Sequence, residues 1–84
     1  MVLAAGRGEY VLCQVTSNPY GDPRSVEFNA ADFSSGSLQL TSYARPGKLF
    51  TASEHLIVRQ VGVLAPAMLD RIVEAVILLL RGRT

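Results

Sequence analysis

The segment 66–80 constrains the fold most, because apolar residues recur there at helical spacing and every apolar run before it is short. Pro66 suits a first helical turn, where the missing N–H is unpaired anyway, and Gly82 provides a stop signal. The apolar positions are Met68, Leu69, Ile72, Val73, Val76, Ile77 and Leu80. Leu78 and Leu79 widen this stripe beyond what one sheet face covers. We therefore predict a C-terminal helix that also packs against a second subunit or against a further segment.

The chain before the helix has short apolar runs separated by glycine, proline, asparagine and aspartate, which is typical of strands and turns. Gly6-Arg7-Gly8 predicts a tight antiparallel hairpin between Val2–Ala5 and Tyr10–Ser17. Polar loops are expected over 17–25 and 29–37. Further strands are expected over 26–28, 38–43, 49–51 and within 56–64, with Pro46 bending or breaking the chain and Gly62 marking a bulge or a close backbone approach.

The segment Tyr10–Ser17 combines an apolar pattern with two hydroxyls at its end. Strict alternation predicts that Val11, Cys13 and Val15 face inward. Leu12, Gln14 and Thr16 then share the other face, which would direct the Thr16 hydroxyl toward a groove or an interface.

Composition narrows the classes of function. The length of 84 residues suits one domain. Because so small a chain buries little of its surface in its own core, the hydrophobic content of 49% favours burial of further surface against a partner. The net charge of +1 argues against bulk electrostatic binding of nucleic acid, although local phosphate contacts remain open. A single cysteine, Cys13, forms no internal disulfide and is compatible with a reducing cytoplasm.

Several motifs follow one another in a fixed order along nearly the whole chain. They are a strand ending in Thr16-Ser17, the loop Asn18–Arg24, the segment Ser42-Tyr43-Ala44-Arg45-Pro46-Gly47-Lys48-Leu49-Phe50-Thr51, then Val61-Gly62-Val63-Leu64 and the apolar helix. This order resembles the MazF/PemK toxins of bacterial type II toxin–antitoxin systems. The resemblance implies a mainly β fold with a C-terminal helix. More narrowly, it implies a small SH3-like (plasmid-maintenance-toxin-like) antiparallel barrel that lacks its first strand. Residues 1–84 would form one partial barrel domain, with strands and loops over 1–64 and the helix over 65–81.

The resemblance also implies a function. The chain would be a growth-inhibiting toxin of the cytoplasm, a metal-independent endoribonuclease (mRNA interferase) that cleaves single-stranded RNA without a cofactor. It would form a homodimer and bind a cognate antitoxin. Thr16 aligns with the catalytic threonine of the family. The other catalytic residue of the family is an arginine, followed by proline, just before the strand that corresponds to Val2–Ala5. This arginine is absent from the sequence, and neither Arg7 nor Arg24 matches its position. We therefore expect a late-assigned or trimmed start, and whether the chain is active in this truncated form stays open.

The chemistry suggests additional RNA contacts. Attack of a ribose 2′-OH on the adjacent phosphate needs a proton acceptor, a proton donor and positive groups for the developing charge. Arg45 and Lys48 are candidates for phosphate contacts, Ser17 lies beside Thr16, and Tyr20 is a candidate for stacking on a base. A threonine hydroxyl alone is too weak an acid or base for this reaction.

Simpler interpretations stay open for each of these residues. Thr16 and Ser17 are also ordinary strand-end residues, Arg45 and Lys48 fit a solvated turn, and Tyr20 fits an ordinary loop. The alternative function is a degenerate, non-catalytic barrel that binds an antitoxin, a toxin subunit or nucleic acid.

Overall fold

The computed structural model describes residues 1–56 and 60–83, and in that part the protein is mainly β with a C-terminal helix, as the sequence predicts. Two short 3₁₀ turns, Ala30–Asp32 and Glu54–Leu56, join strands. The regular elements in chain order are β1 (Val2–Gly6), β2 (Glu9–Thr16), β3 (Val26–Phe28), β4 (Phe33–Gly36), β5 (Ser42–Ser53), β6 (Gly62–Leu64) and α1 (Pro66–Leu80).

The strands form a curled, antiparallel half-barrel. Four of them pair in the order β1-β2-β5-β3, and β4 pairs with β6 in a second, two-stranded sheet. The hairpin between β1 and β2 closes as predicted: Gly6 pairs with Glu9, and Arg7 and Gly8 both have positive φ, as in the tight turns that favour hairpins. Gly62 lies where β6 pairs with β4, and the close contact between these strands explains why a glycine is found there. A Cβ at this position would lie 2.8 Å from the Phe33 ring. Gly62 therefore marks a close backbone approach, which was one of the two expectations for it.

Helix α1 has the predicted bounds and packs on one face of the half-barrel. It ends in a Schellman arrangement, in which Gly82 donates to the Leu79 carbonyl at 3.0 Å and Arg83 to the Leu78 carbonyl at 2.9 Å. The core cluster consists of Cys13, Phe28, Ala44, Met68 and Ile72. Among the described residues, no helix is long and apolar enough to cross a membrane.

The inward face of β2 differs from the strict alternation that the sequence suggests. Val11 is 38% exposed, whereas Leu12 is only 7% exposed and the next residue, Cys13, is fully buried. Two irregularities in the ladder flank these residues. On β1, Val2 pairs with Leu12 but Ala4 pairs with Val11, so Leu3 is extra. On β5, Cys13 pairs with Leu49 but Gln14 pairs with Arg45, so residues 46–48 are extra. Such irregularities bend the ladder, and the two consecutive buried residues Leu12 and Cys13 lie between them.

Two other strand predictions need correction. The strand expected over 38–43 begins only at Ser42, because β5 pairs there with the three residues of β3, and Leu40 is left 67% exposed. The region expected to be a polar turn instead contains β4, which the packing of Phe33 on Phe28 at 6.0 Å holds against the core. Of the apolar run 56–64, Glu54–Leu56 forms a 3₁₀ turn, β6 covers Gly62–Leu64, and 57–59 lie outside the described residues.

The burial of Leu12 and the exposure of Val11 predict unequal losses of stability for two neighbouring truncations. Leu12→Ala removes a buried side chain and is expected to cost about 2–5 kcal/mol of unfolding free energy, whereas Val11→Ala is expected to cost less than about 1 kcal/mol. Urea unfolding followed by circular dichroism measures both. A larger loss for Val11→Ala than for Leu12→Ala would support strict alternation and contradict this structure.

Candidate functional site

The outward face of the sheet, opposite the core, carries a row of polar side chains. Thr16 on β2 pairs with Tyr43 on β5, which pairs in turn with Glu27 on β3. One step along, Gln14 pairs with Arg45. Paired residues of an antiparallel ladder project to the same face, so these side chains are neighbours. What we call the outer-face cluster consists of four of them (Gln14, Thr16, Tyr43 and Arg45) and two residues of the loop 17–25 (Tyr20 and Asp22).

The hydroxyl of Thr16 is held by the first residues of the loop. It accepts a hydrogen bond from the Asn18 N–H at 3.1 Å and donates one to the Asn18 carbonyl at 3.0 Å. Thr16 is half-buried, and Ser17 beside it is exposed. The Asn18 side chain continues the contact by accepting from the Tyr20 N–H at 3.0 Å. Threonine and asparagine thus fix the start of the loop relative to the end of β2.

The turn at 19–22 places Tyr20 in an unusual backbone conformation. Asp22 donates its N–H to the Pro19 carbonyl at 2.9 Å, which closes a β-turn around Tyr20 and Gly21. Both central residues have positive φ, 53° for Tyr20 and 72° for Gly21. Such turns favour glycine, asparagine and aspartate at these positions. Tyr20 is nevertheless 72% exposed, so burial of its ring does not explain its presence.

Arg45 connects this loop to the sheet. Its Nε donates to Asp22 Oδ2 at 3.1 Å, and one terminal nitrogen donates to Gln14 Oε1 at 3.2 Å. Its guanidinium carbon also lies 5.8 Å from the centre of the Tyr20 ring, within cation–π range. The side chains of Arg45 and Asp22 are 17% and 10% exposed, so this ion pair is largely shielded from water. Arg45 therefore has three contacts with the protein.

The electrostatics of the cluster follow from these contacts. The Arg24 N–H, which donates to Asp22 Oδ1 at 2.9 Å, is the main cause that lowers the pKa of Asp22, and the hydrogen bond from Arg45 adds to it. A hydrogen bond to the Glu27 carboxylate raises the pKa of Tyr43. On the other face of the sheet, burial raises the pKa of the Cys13 thiol, which donates to the Arg45 carbonyl at 3.2 Å. Cys13 is thus a protonated core residue, in agreement with its apolar position.

The structure gathers some of the sequence candidates and separates others. Thr16, Tyr20 and Arg45 belong to one cluster, and Ser17 is adjacent to it. Lys48 is exposed within the extra residues of β5, and no hydrogen bond or ion pair in the described part of the chain joins it to the cluster. Sequence analysis missed Gln14, Asp22 and Tyr43 as members. The available signal was the loop pattern Asn18-Pro19-Tyr20-Gly21-Asp22, but the partner of Asp22 depends on the register of β5.

The cluster and the adjacent Ser17 carry groups suited to contact with a polar, planar ligand: the Ser17 hydroxyl, the exposed ring of Tyr20 and the cation Arg45, whose charge Asp22 offsets. The hydroxyls of Thr16 and Tyr43 already have partners in the Asn18 backbone and the Glu27 carboxylate. Within residues 1–56 and 60–83, no group of three or more histidine, cysteine, aspartate or glutamate side chains is arranged to hold a metal ion.

Comparisons with known proteins leave the family unassigned. No protein-family model matches the sequence, and no curated protein matches it at a significant level.

Because the pKa of Asp22 is lowered in the folded protein, the unfolding free energy that this carboxylate contributes should depend on pH. The unfolded carboxyl, with its ordinary pKa of 3.8, binds protons more readily than the folded one. The stabilisation is therefore present above that value and is lost as pH falls through the lowered folded pKa. Asp22→Asn should reduce the unfolding free energy by on the order of 1–3 kcal/mol at neutral pH, and the deficit should shrink in acid.

Urea unfolding of both proteins at neutral pH and below pH 3.8 checks this expectation. Asp70→Asn on the exposed side of α1 is the matched control and should change stability little at either pH. An Asp22→Asn deficit that is equal at both pH values would show that the carboxylate charge contributes nothing.

Proposed function

We propose that this protein is a MazF/PemK-like growth-inhibiting toxin of a type II toxin–antitoxin system, a metal-independent endoribonuclease of single-stranded RNA. The observation that carries the proposal is the position of Thr16 at the end of β2, on the same outward face as Arg45 and tied through Asn18 to the loop of Tyr20. The resemblance assigns the catalytic role to this threonine. The outer-face cluster would then bind the RNA around the scissile phosphate.

The proposal includes a specific fold, an SH3-like barrel without its first strand. Its support is an apolar groove of about 630 Å³ between the two sheets. The groove is lined by residues that include Val2 and Leu12 of the larger sheet and Val63 and Leu64 of the smaller one. In the part of the chain that the structure describes, β1 pairs only with β2 and β6 only with β4. An extended strand in the groove would complete the backbone hydrogen bonds and close the barrel.

The resemblance locates the second catalytic group, an arginine followed by proline, ahead of β1. On this proposal that arginine supplies the donors that stabilise the developing phosphorane charge. Arg45 does not match the position of that arginine, and two of its five N–H donors already bind Asp22 and Gln14. Thr16 would orient the phosphate.

The alternative of a non-catalytic barrel that binds an antitoxin, a toxin subunit or nucleic acid has one specific observation in its favour. The Thr16 hydroxyl uses its proton and one lone pair on the Asn18 backbone. A threonine that serves only to shape the loop would make the same contacts. An activity measurement separates the two functions.

The assay for the proposed activity incubates the purified protein with mixed single-stranded RNA in EDTA. We expect cleavage at specific sequences by a chain extended to include the arginine followed by proline that the resemblance implies, and cleavage that is slower by about 10²–10³-fold or absent for residues 1–84 alone. Thr16→Ala should reduce the rate of the extended chain by about 10²–10³-fold, by analogy with the loss of one preorganised group at a developing oxyanion. Thr16→Ser, which keeps the hydroxyl, should retain most of the rate.

Thr51→Ala provides the matched control, since Thr51 is an exposed threonine further along β5, opposite Val11. It should leave cleavage unchanged. RNA binding without cleavage would favour the non-catalytic barrel. Cleavage that persists in Thr16→Ala, or that requires a divalent metal, would reject the proposed mechanism.

We also propose that the protein acts in the cytoplasm as a homodimer that its antitoxin inhibits. The support for a dimer is the wide apolar face of α1, where Leu80 is 74% exposed and Leu78 and Leu79 are only half-buried. Exposed leucines at the end of a helix are suited to burial against a second subunit.

Sedimentation at micromolar concentration should give twice the chain mass, and Leu80→Lys should shift the distribution toward monomer. Leu40→Lys is the control, because Leu40 is similarly exposed, at 67%, but lies in the connection between β4 and β5. A monomer for the unmodified chain would rule out a stable homodimer.

A further inference from the structure

Tyr20 occupies a backbone position that disfavours its side chain. Its φ of 53° belongs to the left-handed region, in which a residue with a Cβ is strained and glycine is not. The next residue, Gly21, also has a positive φ and is the residue type that this conformation favours. A tyrosine at position 20 therefore needs an interaction that offsets the strain, or a function that requires its ring.

Packing supplies little compensation. Tyr20 is 72% exposed, and in the described part of the chain its ring contacts one charged group, the guanidinium of Arg45 at 5.8 Å. A cation–π contact at a solvent-exposed site stabilises by only a small amount. The ring consequently presents most of its area to solvent while Arg45 approaches it from the side of the sheet.

The ring is also held in place. Arg45 is itself fixed by Asp22 and Gln14, and the Tyr20 N–H is bonded to the Asn18 side chain. An exposed aromatic ring that is ordered before a ligand arrives loses less conformational freedom on binding. The Tyr20 ring is therefore an ordered and exposed surface of this loop, and its flat face is suited to stacking with another planar group.

We propose that Tyr20 is a stacking platform for one unpaired nucleobase of single-stranded RNA, and that Arg45 is the positioning residue that holds the platform. This inference rests on the proposed function. Asn18 links the two sites, since its backbone binds the Thr16 hydroxyl and its side chain binds the Tyr20 N–H. The stacked base therefore belongs to a nucleotide close to the phosphate at Thr16.

The test measures the affinity of the protein for a fluorescent pool of short, random-sequence single-stranded RNA. The RNA carries 2′-fluoro groups, so that it lacks the nucleophilic hydroxyl and is not cleaved. Tyr20→Gly should weaken binding by about 5- to 150-fold, the range that corresponds to loss of one aromatic–base stack. Tyr20→Phe, which keeps the ring, should stay within about twofold of the unmodified protein.

Tyr20→Gly also separates binding from folding. Glycine relieves the positive φ, so its unfolding midpoint in urea should equal or exceed that of the unmodified protein. Unchanged affinity in Tyr20→Gly, with binding by the unmodified protein intact, would overturn the platform and leave the proposed function standing. If the unmodified protein binds no single-stranded RNA, both fail.

The role of Arg45 has its own readout. If Arg45 positions the ring, Arg45→Met should weaken binding without changing the salt dependence, and the double variant with Tyr20→Gly should be no weaker than Tyr20→Gly alone. If Arg45 contacts a phosphate, the slope of log affinity against log salt should decrease by about 0.7 and the two effects should add. That second result would overturn the positioning role.

Discussion

The extra residues 46–48 in β5 are the constraint on which the rest of the structure depends. They lie opposite the step from Cys13 to Gln14, where the ladder shifts its register. Proline has no N–H to donate to a ladder and is tolerated at such a bulge, and Pro46 uses its side chain in the core, where it is fully buried. The next residue, Gly47, lies close to the helix: a Cβ at this position would be 3.9 Å from the Leu79 side chain. The bulge thus joins the sheet to the C-terminal end of α1.

The same shift separates the core from the candidate site. On one side of the sheet, Leu12 and Cys13 both turn inward, and Ile72 of the helix packs within the core cluster. On the other side, Gln14 comes opposite Arg45, which then reaches the loop through Asp22. A regular ladder that continued from the Cys13–Leu49 pair would place Gln14 opposite Lys48 instead of Arg45. The position of the loop that carries Tyr20 therefore depends on an irregularity more than twenty residues away in the sequence.

Local signals were sufficient to predict the helix, the first hairpin and the close approach at Gly62. Periodicity and the Pro66 and Gly82 signals define α1, and Gly6-Arg7-Gly8 defines a turn by its own backbone preferences. The errors occurred where tertiary pairing decides. Strict alternation assigned Val11 to the core because the register shifts beside Leu12 and Cys13 involve β1 and β5, the strands that pair with β2. The strand β4 was missed because it depends on pairing with the distant β6 and on the packing of Phe33 on Phe28.

The candidate site shows the same division. Thr16 and Tyr20 could be selected from the sequence by residue chemistry and by resemblance, whereas the Arg45–Asp22 pair requires the three-dimensional register.

We propose above all that the outer-face cluster forms the RNA-binding face. Amide chemical-shift mapping of the isotope-labelled protein during titration with single-stranded RNA tests this proposal most directly. The account predicts that the largest shifts fall on 16–22 and 43–45, with little change along the exposed side of α1. Shifts concentrated on α1, or none anywhere, would contradict it.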